Sequence, residues 1–234
     1  MVDQPPEPEA AGRAPGAARV DAVVRSSLRD GAERLGVPLR PDQVVLIESF
    51  LSELVRWSAK MSLTALDTPR GLVQEGVLDS LACAPHVPAE MRLVVDVGSG
   101  AGFPAIPLAV ALPQHQFTLI EAARKKTTFL RHIVRTLGLT NATVWHGRAE
   151  AYDGPSAGRF DVAFARAAAP LPAQSALAAG LLRAGGIFIA QTTTEVASAT
   201  LGTVDVAAFL LVQRIPCPPS ITGHGRELCV LRRT

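Results

Sequence analysis

The sequence has few of the features that identify secreted, metal-binding or membrane-spanning proteins. Its three cysteines, Cys83, Cys217 and Cys229, are far apart, and no Cys-x-x-Cys pair occurs. An odd, unclustered set argues against a disulfide framework or a zinc site and favours a reducing compartment. No apolar run reaches the roughly 18 residues of a membrane helix, and the N-terminus lacks the apolar core of a signal peptide. We therefore expect a cytoplasmic, soluble protein with no bound metal.

Neither sign of charge is in large excess. The 234 residues include 23 Lys and Arg against 21 Asp and Glu, a formal net charge of +2 at pH 7. Because so small a charge gives only a weak overall field, a polyanionic partner would have to be bound by a local basic patch. Apolar residues make up 48% of the chain, which is enough for a sizeable core. The length suits one α/β domain with a small appendage.

The N-terminal part of the chain has helical periodicity and no strand pattern. Residues 1–19 carry four prolines and no apolar period, which predicts a disordered tail. Helices are predicted from Val20 to Gly36, from Pro41 to about Lys60, and from about Arg70 to Ala84. We expect these helices to form a small helical subdomain over residues 20–90.

From residue 91 to residue 234 the pattern changes to alternating strands and helices, which is typical of a doubly wound sheet. The predicted strands cover residues 93–97, 116–121, 142–146, 160–165 and 186–191, and the predicted helices lie near 104–112, 124–137 and 171–183. Two further segments, around 206–214 and 226–232, predict a C-terminal hairpin. The sequence thus predicts a seven-stranded sheet.

Three glycines, Gly98, Gly100 and Gly102, follow the first predicted strand at alternate positions, with Ser99 between the first two. Because glycine has no Cβ, such a turn can adopt positive φ and approach a ligand closely. The spacing differs from the Gly-x-Gly-x-x-Gly dinucleotide fingerprint, and no Gly-Lys-Ser/Thr follows for a triphosphate loop. It is the pattern of the first βα turn in class I methyltransferases that use S-adenosylmethionine (SAM), an α/β, Rossmann-like fold with a mostly parallel sheet.

Two acids stand at the ends of the first two predicted strands. Asp96 either orients the glycine turn or the amino group of the cofactor, or only caps the following segment. Glu121 either accepts both ribose hydroxyls of an adenosine, or pairs on the surface with Arg124 or Lys125. After the third strand, residues 147–150 lie where an adenine edge would meet backbone amides. Together the three signals predict a SAM site.

Several local sequences resemble one family, the RsmG (GidB) methyltransferases, from about residue 28 to the C-terminus. The most specific match is the Phe-Pro-x-Ile-Pro-Leu sequence at residues 103–108, which directly follows the glycine turn. Further matches are Trp57 to Thr64, Leu78-Asp79-Ser80, Arg124-Lys125-Lys126, Phe129-Leu130, Arg148-Ala149-Glu150, Phe160-Asp161, Ala165-Arg166-Ala167 and Gly225-Arg226-Glu227. The resemblance implies methylation of N7 of a guanine in 16S ribosomal RNA of the small subunit. It also implies cofactor contacts from Gly98, Phe103, Ala149, Glu150 and Arg166.

The chain departs from the usual sequence of this family at five positions. The family usually has Asn at the positions of Ser58 and Ser62 and His at the position of Gly76. It usually has Lys-Gly where this chain has Gln191 and Thr192. These departures leave open a SAM methyltransferase that acts on another RNA or on a small molecule, and a non-catalytic module that binds the ribosome.

Methyl transfer from a sulfonium to guanine N7 needs alignment more than acid–base help, because N7 already carries an exposed lone pair. The sequence accordingly offers no convincing general base, nucleophile or metal cluster, and its five histidines are scattered. Arg166 follows the fourth strand, where exocyclic amino-group methyltransferases carry an Asn/Asp-Pro-Pro-aromatic tetrapeptide. It is the candidate catalytic residue, since arginine commonly recognises guanine O6 and N7. Pairing with a neighbouring acid or with the cofactor carboxylate is the alternative.

The helix after Glu121 is the candidate RNA-binding element. Helical spacing predicts one basic face, which comprises Arg124, Lys125, Arg131, His132 and Arg135. Four further arginines could extend this patch: Arg148, Arg226, Arg232 and Arg233. The alternative is a solvated face that is basic by chance. Trp57 is predicted to be a core residue rather than a base-stacking platform. We expect a monomer whose substrate is 16S ribosomal RNA, either naked or within the small subunit.

Overall fold

The structure is a computed structural model, and it describes residues 15–166, 170–193, 208–223 and 225–234. None of its described helices is long and apolar enough to cross a membrane. The division of the chain into a tail, a helical subdomain and a methyltransferase domain stays a prediction.

Helix α1 (Pro15–Arg34) begins five residues before the predicted start at Val20. The reason is Pro15 itself, since proline has the φ of a first helical turn and needs no hydrogen-bond partner there. Helix α2 (Pro41–Ser58) has the predicted buried stripe of Ile47, Phe50 and Leu54. At its start the Gln43 side chain accepts a hydrogen bond from the Arg40 amide and donates one to the Val110 carbonyl.

The third predicted helix is not a continuous α-helix. It consists of α3 (Pro69–Gly71), a π-helix (Leu72–Leu78) and α4 (Asp79–Leu81), and a 3₁₀ turn at Ala84–His86 follows. Its apolar spacing resembles that of an α-helix closely enough that the sequence does not reveal the wider turn. π-Helical turns are rare and are frequent at functional sites.

The seven strands of the described residues form a single sheet in the order β3-β2-β1-β4-β5-β7-β6. They are β1 (Leu93–Val97), β2 (Gln116–Glu121), β3 (Ala142–His146), β4 (Phe160–Arg166), β5 (Leu182–Thr193), β6 (Phe209–Cys217) and β7 (Arg226–Arg233). Strands β1 to β5 pair in parallel, whereas β7 is antiparallel to both β5 and β6. The prediction of a mostly parallel seven-stranded sheet is therefore confirmed.

Strand β5 is longer than predicted at both ends, and α7 (Leu171–Leu181) ends two residues early. Leu182 pairs with Phe160, and the register then shifts before Ile187 pairs with Val162. Gly185, at φ +74°, lies in this irregular stretch. A glycine in the sequence ordinarily indicates that a strand begins or ends there. Here Gly185 lies inside strand β5, where it permits an irregularity in the pairing.

The remaining elements differ from prediction by a few residues at most. Helices α5 (Ala105–Ala111) and α6 (Arg124–Thr136) fall on the predicted ranges, and β6 begins and ends three residues late. Residues 206 and 207 of that predicted strand lie outside the described residues. A short helix, α8 (Pro219–Thr222), ends at Gly223 and turns the chain into β7.

The sheet has a hydrophobic core on each face. The larger core includes Ile47, Leu54, Ile106 and Phe129, which brings the N-terminal helices, α5 and α6 onto one face. The smaller core includes Leu171 and Leu181 of α7 on the other face. Both cores leave the carboxyl ends of the parallel strands as an edge at which ligands can bind.

Candidate functional site

The glycine turn joins β1 to the second strand and to α5. The amides of Gly98 and Ser99 both donate to the Ile120 carbonyl, at 2.9 and 3.0 Å. Gly98, Gly100 and Gly102 have φ values of +73°, +57° and +95°. The turn therefore requires a left-handed backbone at all three glycines.

Two of these glycines have different surroundings. A Cβ on Gly102 would lie 2.8 Å from Ile106 Cγ1, so this glycine is needed for packing. A Cβ on Gly100 would meet only the Gly98 carbonyl oxygen, at 3.7 Å. Gly100 is thus the glycine that faces open space.

Glu121, at the end of β2, holds the turn from the other side. Its Oε2 accepts a hydrogen bond from the Gly100 amide at 2.8 Å, and its Oε1 accepts one from the Ala123 amide at 2.7 Å. Each carboxylate oxygen has a second acceptor position. The ion pairs of the described residues do not include one between Glu121 and Arg124 or Lys125, which was the alternative from the sequence.

Asp96 is buried below the turn. The Ser99 hydroxyl donates to the Asp96 carbonyl at 3.1 Å, whereas Asp96 Oδ2 has no partner among the described residues. Burial raises the pKa of Asp96 to about 7, although Ser99 and Arg166 act to lower it. A buried acceptor without a donor is costly, so Oδ2 is suited to a ligand that brings one.

The turn after β3 lies beside this site. The Gly147 amide donates to the Glu121 carbonyl at 3.0 Å, which ties the two strand ends together. Ala149 is buried in the short 3₁₀ helix Ala149–Ala151, while Glu150 and Arg148 are exposed. The structure therefore brings together the glycine turn, Asp96, Glu121 and Ala149 as the sequence predicts.

Arg166 ends β4 and lies over the aromatic ring of Phe103. Its Cζ is 5.1 Å from the ring centre, within the range of a cation–π contact. Nη1 donates to the Glu75 carbonyl at 2.9 Å and lies 3.5 Å from Asp79 Oδ2. Of the alternatives raised by the sequence, a neighbouring acid is therefore present. Burial lowers the pKa of Arg166, and the charge of Asp79 opposes this.

Asp79 is a buried acid to which the sequence assigned no role, although Leu78-Asp79-Ser80 is among the family matches. It is completely buried, and its Oδ2 lies 3.2 Å from Arg226 Nε as well as near Arg166. Burial raises the pKa of Asp79 to about 6, and both arginines act to lower it. A signal was present, because a carboxylate within the apolar run Val77–Leu81 must be buried with a partner.

The surroundings of Arg226 differ from those of the other predicted RNA-binding residues. Its side chain is only 19% exposed and is paired with Asp79, whereas Arg124, Lys125, Arg131, Arg135 and Arg148 are exposed.

His132 was expected on the exposed basic face, and this expectation is wrong. Its Nε2 lies 2.7 Å from Glu53 Oε2, and its ring packs 5.1 Å from that of Trp57. Trp57 also packs against Phe129, so it is a half-buried packing residue at the contact between α2 and α6. The helical spacing was right, but it does not indicate which neighbouring helix covers a face.

Two of the five departures from the family sequence lie in this cluster. A Cβ on Gly76 would be 2.7 Å from Phe103 Cζ, so a larger residue there requires the ring to move. Gln191 is buried and donates to the Asp79 carbonyl at 2.8 Å, while its Oε1 has no partner among the described residues. Within the described ranges, no group of three or more His, Cys, Asp or Glu side chains could hold a metal ion.

The strand order, the glycine turn after β1 and the acid at the end of β2 together define a class I SAM-dependent methyltransferase. Two solved structures agree with this fold. An O-methyltransferase from Bacillus cereus, solved with SAH, is 17% identical and has a TM-score of 0.55, with 80% of this chain and 91% of that chain covered. The O-methyltransferase TomG from Streptomyces achromogenes, solved with SAM, is 18% identical and has a TM-score of 0.54, with 79% and 89% covered.

The chain belongs to the GidB family, described as rRNA small subunit methyltransferase G, whose model matches residues 43–207. A relative of that name from Geobacter metallireducens is 35% identical over 217 residues, which cover 92% of this chain and 98% of the relative. Another from Deinococcus radiodurans is 36% identical over 217 residues, with 89% and 85% covered. The resemblance inferred from the sequence is confirmed.

Proposed function

We propose that this protein transfers a methyl group from SAM to N7 of a guanine in 16S ribosomal RNA. The observation that carries the proposal is the position of Arg166. It lies over Phe103, the residue that follows the glycine turn, and so would adjoin a methyl donor bound at that turn. Family membership and the name of the relatives support the RNA substrate.

The residues of the turn fit SAM. The open side of Gly100 leaves room for a ligand against the backbone, and Glu121 retains acceptor positions for ribose hydroxyls. The unpartnered Oδ2 of Asp96 is suited to a positively charged donor such as the ammonium group of the methionine part. Ala149, in the turn after β3, would line the adenine, and the exposed Glu150 would lie at its edge. SAM when bound supplies an activated methyl group on a sulfonium.

The protein's own residues then have to align the base with the methyl group, and they do not have to transfer a proton. Guanine N7 needs no deprotonation before it attacks, but its lone pair must stay free for the methyl group. Arginine would therefore hold the neighbouring O6, one of the two guanine atoms that it commonly binds. Arg166 would orient the base and keep its guanidinium charge close to the ring. Phe103 holds Arg166 from below, and the Glu75 carbonyl fixes one of its N–H groups. Alignment of this kind is worth several orders of magnitude in rate.

The exposed basic face of α6 would bind the RNA backbone. Arg124, Lys125, Arg131 and Arg135 all lie on the helix that starts directly after Glu121. A duplex or loop bound there would extend past the edge of the sheet at which the methyl group is transferred.

The test incubates the purified enzyme and methyl-labelled SAM with one of two substrates. These are small ribosomal subunits and naked 16S RNA, both from a strain that lacks the protein. Mass spectrometry would then locate the labelled base. We expect 7-methylguanine at one position, and its absence from the RNA of the deletion strain before treatment. Label in another RNA or in a metabolite extract would assign a different acceptor, and no SAM binding by calorimetry would exclude catalysis.

A further inference from the structure

The ligand edge of the sheet has two halves that are built from different strands. The glycine turn and Glu121, at the ends of β1 and β2, form the donor half. Arg166 and Gln191, paired in register at the ends of β4 and β5, belong to the other half. Since β7 is antiparallel, its amino end also reaches this edge, where Arg226 pairs with Thr193. We call this second set, with Asp79, the acceptor half.

Asp79 connects the two arginines of the acceptor half. Arg166 and Arg226 come from strands separated by β5, and both approach the same oxygen of the Asp79 carboxylate. Two further acids shift the pKa values of these residues. The charge of Glu75 acts to raise the pKa of Asp79, and the charge of Asp96 acts to raise the pKa of Arg166. The other oxygen, Oδ1, is buried and has no partner among the described residues. Both arginines are therefore paired with one carboxylate oxygen, and the second oxygen is left as an acceptor for a further N–H group.

We propose that Arg226 is a second guanine-binding residue beside Arg166, and that Asp79 is the positioning residue that holds both guanidinium groups. This inference rests on the proposed function.

Arginine presents five N–H donors in a fixed fork, and few of them are used here. Nε of Arg226 lies 3.2 Å from Asp79 Oδ2 but is buried without a hydrogen-bond partner, and the hydrogen bonds of the described residues include none from its Nη1 or Nη2. Gly223 packs against the π-helix, since a Cβ there would lie 3.0 Å from Glu75 Cγ. Arg226 stands at the amino end of β7, so its remaining donors lie at the ligand edge of the sheet.

The surroundings of Arg226 favour the acceptor base as its partner over a phosphate. The phosphate-binding candidates on α6 are exposed, as phosphate contacts require, whereas the Arg226 side chain is 19% exposed. A guanine whose N7 attacks in line must enter the edge between the donor half and the acceptor half. Its O6 would then lie near the two arginines while the lone pair of N7 stays free to attack, and arginine is the commonest partner of this edge of guanine.

The test compares Arg226→Gln with Arg92→Gln, an exposed arginine just before β1, on the opposite edge of the sheet. We expect Arg226→Gln to lower kcat/KM for the RNA by about 5- to 150-fold, which corresponds to about 1–3 kcal/mol for an arginine contact with guanine. Its SAM affinity should stay within about twofold of the wild type. Arg226→Lys should restore little, because an ammonium lacks the fork. Arg92→Gln should behave as the wild type.

Asp79→Asn separates positioning from structure, because the amide keeps the shape and loses the charge. We expect its loss of kcat/KM to overlap with that of Arg226→Gln, so that the double variant is less impaired than the product of the two. Thermal unfolding checks that each variant is folded. If Asp79→Asn does not fold, Arg226→Gln alone still decides the assignment of Arg226.

Three results would overturn the inference. Unchanged kcat/KM in Arg226→Gln would remove Arg226 from the site, and fully independent effects of Asp79→Asn and Arg226→Gln would remove the positioning role. A fall of about one in the salt slope of RNA binding by Arg226→Gln would assign it to a phosphate. Failure of the proposed function is distinct from all three, since the wild-type enzyme would then bind SAM and leave the RNA unmethylated.

Discussion

The guanidinium of Arg166 lies 5.1 Å from the centre of the Phe103 ring, so the end of β4 rests on the residue that follows the glycine turn. This contact connects the part of the site that would hold the methyl donor to the residue that would orient the acceptor. A cation over an aromatic face is stabilised by about 0.5–2 kcal/mol, more where water is excluded.

Phe103→Leu should remove this stabilisation and keep an apolar side chain in the core. We expect kcat to fall about 3- to 30-fold, as ~0.5–2 kcal/mol of positioning is removed. Phe117→Leu, an equally buried ring in β2, is the matched control and should lose stability without a comparable loss of kcat. Equal activity in Phe103→Leu and the wild type would show that the stacking does not position Arg166.

Gly100→Val should abolish SAM binding and leave the domain folded, because the new side chain would fill the open space above the turn. Gly138→Val is a close control, since Gly138 has φ +62° against +57° at Gly100 and also has open space around it. Both variants should lose about 1–2 kcal/mol from the left-handed backbone. Calorimetry with SAM distinguishes them, and retained affinity in Gly100→Val would contradict the assignment of the turn.

Asp96 should make both folding and SAM binding depend on pH. Burial raises its pKa from 3.8 to about 7, so the folded state favours the neutral acid. Its contribution to stability is therefore complete below pH 4 and is lost as the pH rises toward 7, by about 1 kcal/mol per pH unit. A cationic donor favours the ionised form, so SAM affinity should rise from pH 6 to pH 8.

Asp96→Asn should remove both effects. The measurements are thermal unfolding between pH 5 and pH 8 and calorimetry with SAM over the same range, each as the difference between the variant and the wild type. If the two proteins keep parallel pH profiles, another group is responsible.

Lys125→Glu with Arg131→Glu should weaken RNA binding and reduce its salt slope by about one for each phosphate that the helix no longer neutralises. SAM affinity should be unchanged, because both side chains are exposed on α6. Arg92→Glu with Arg159→Glu makes the same change of charge just before the amino ends of β1 and β4, on the opposite edge of the sheet. An equal loss of RNA binding in this control would point to overall charge and not to the α6 face.

His132→Ala should destabilise the protein by about 1–2 kcal/mol through the loss of its hydrogen bond to Glu53. For a chain of this size that is a fall in Tm of about 3–6 °C. Arg56→Ala removes the other, exposed partner of the same Glu53 carboxylate and should cost less than about 0.5 kcal/mol. A Tm for His132→Ala that matches Arg56→Ala would mean that the contact between α2 and α6 is a surface pair of little weight.

Much of the fold could be predicted because its signals are local. Strand β1, the three glycines and Glu121 are short-range patterns, and each follows from the backbone conformation or burial that it requires. The π-helix and the irregularity at Gly185 could not be predicted, since apolar spacing does not distinguish such variants from regular elements. The pairing of Asp79 with Arg226 joins residues 147 positions apart. Such contacts depend on the strand order, which a pattern along the chain does not specify.

The two halves of the site also differ in when they are made. Every residue of the donor half lies between Gly98 and Glu121, so this half is made early in synthesis of the chain. The acceptor half includes Arg226, which is made much later and stands in β7, between β5 and β6. A shortened chain that lacks β7 would therefore keep the residues that we propose for SAM and lose one of the two arginines that we propose for the base.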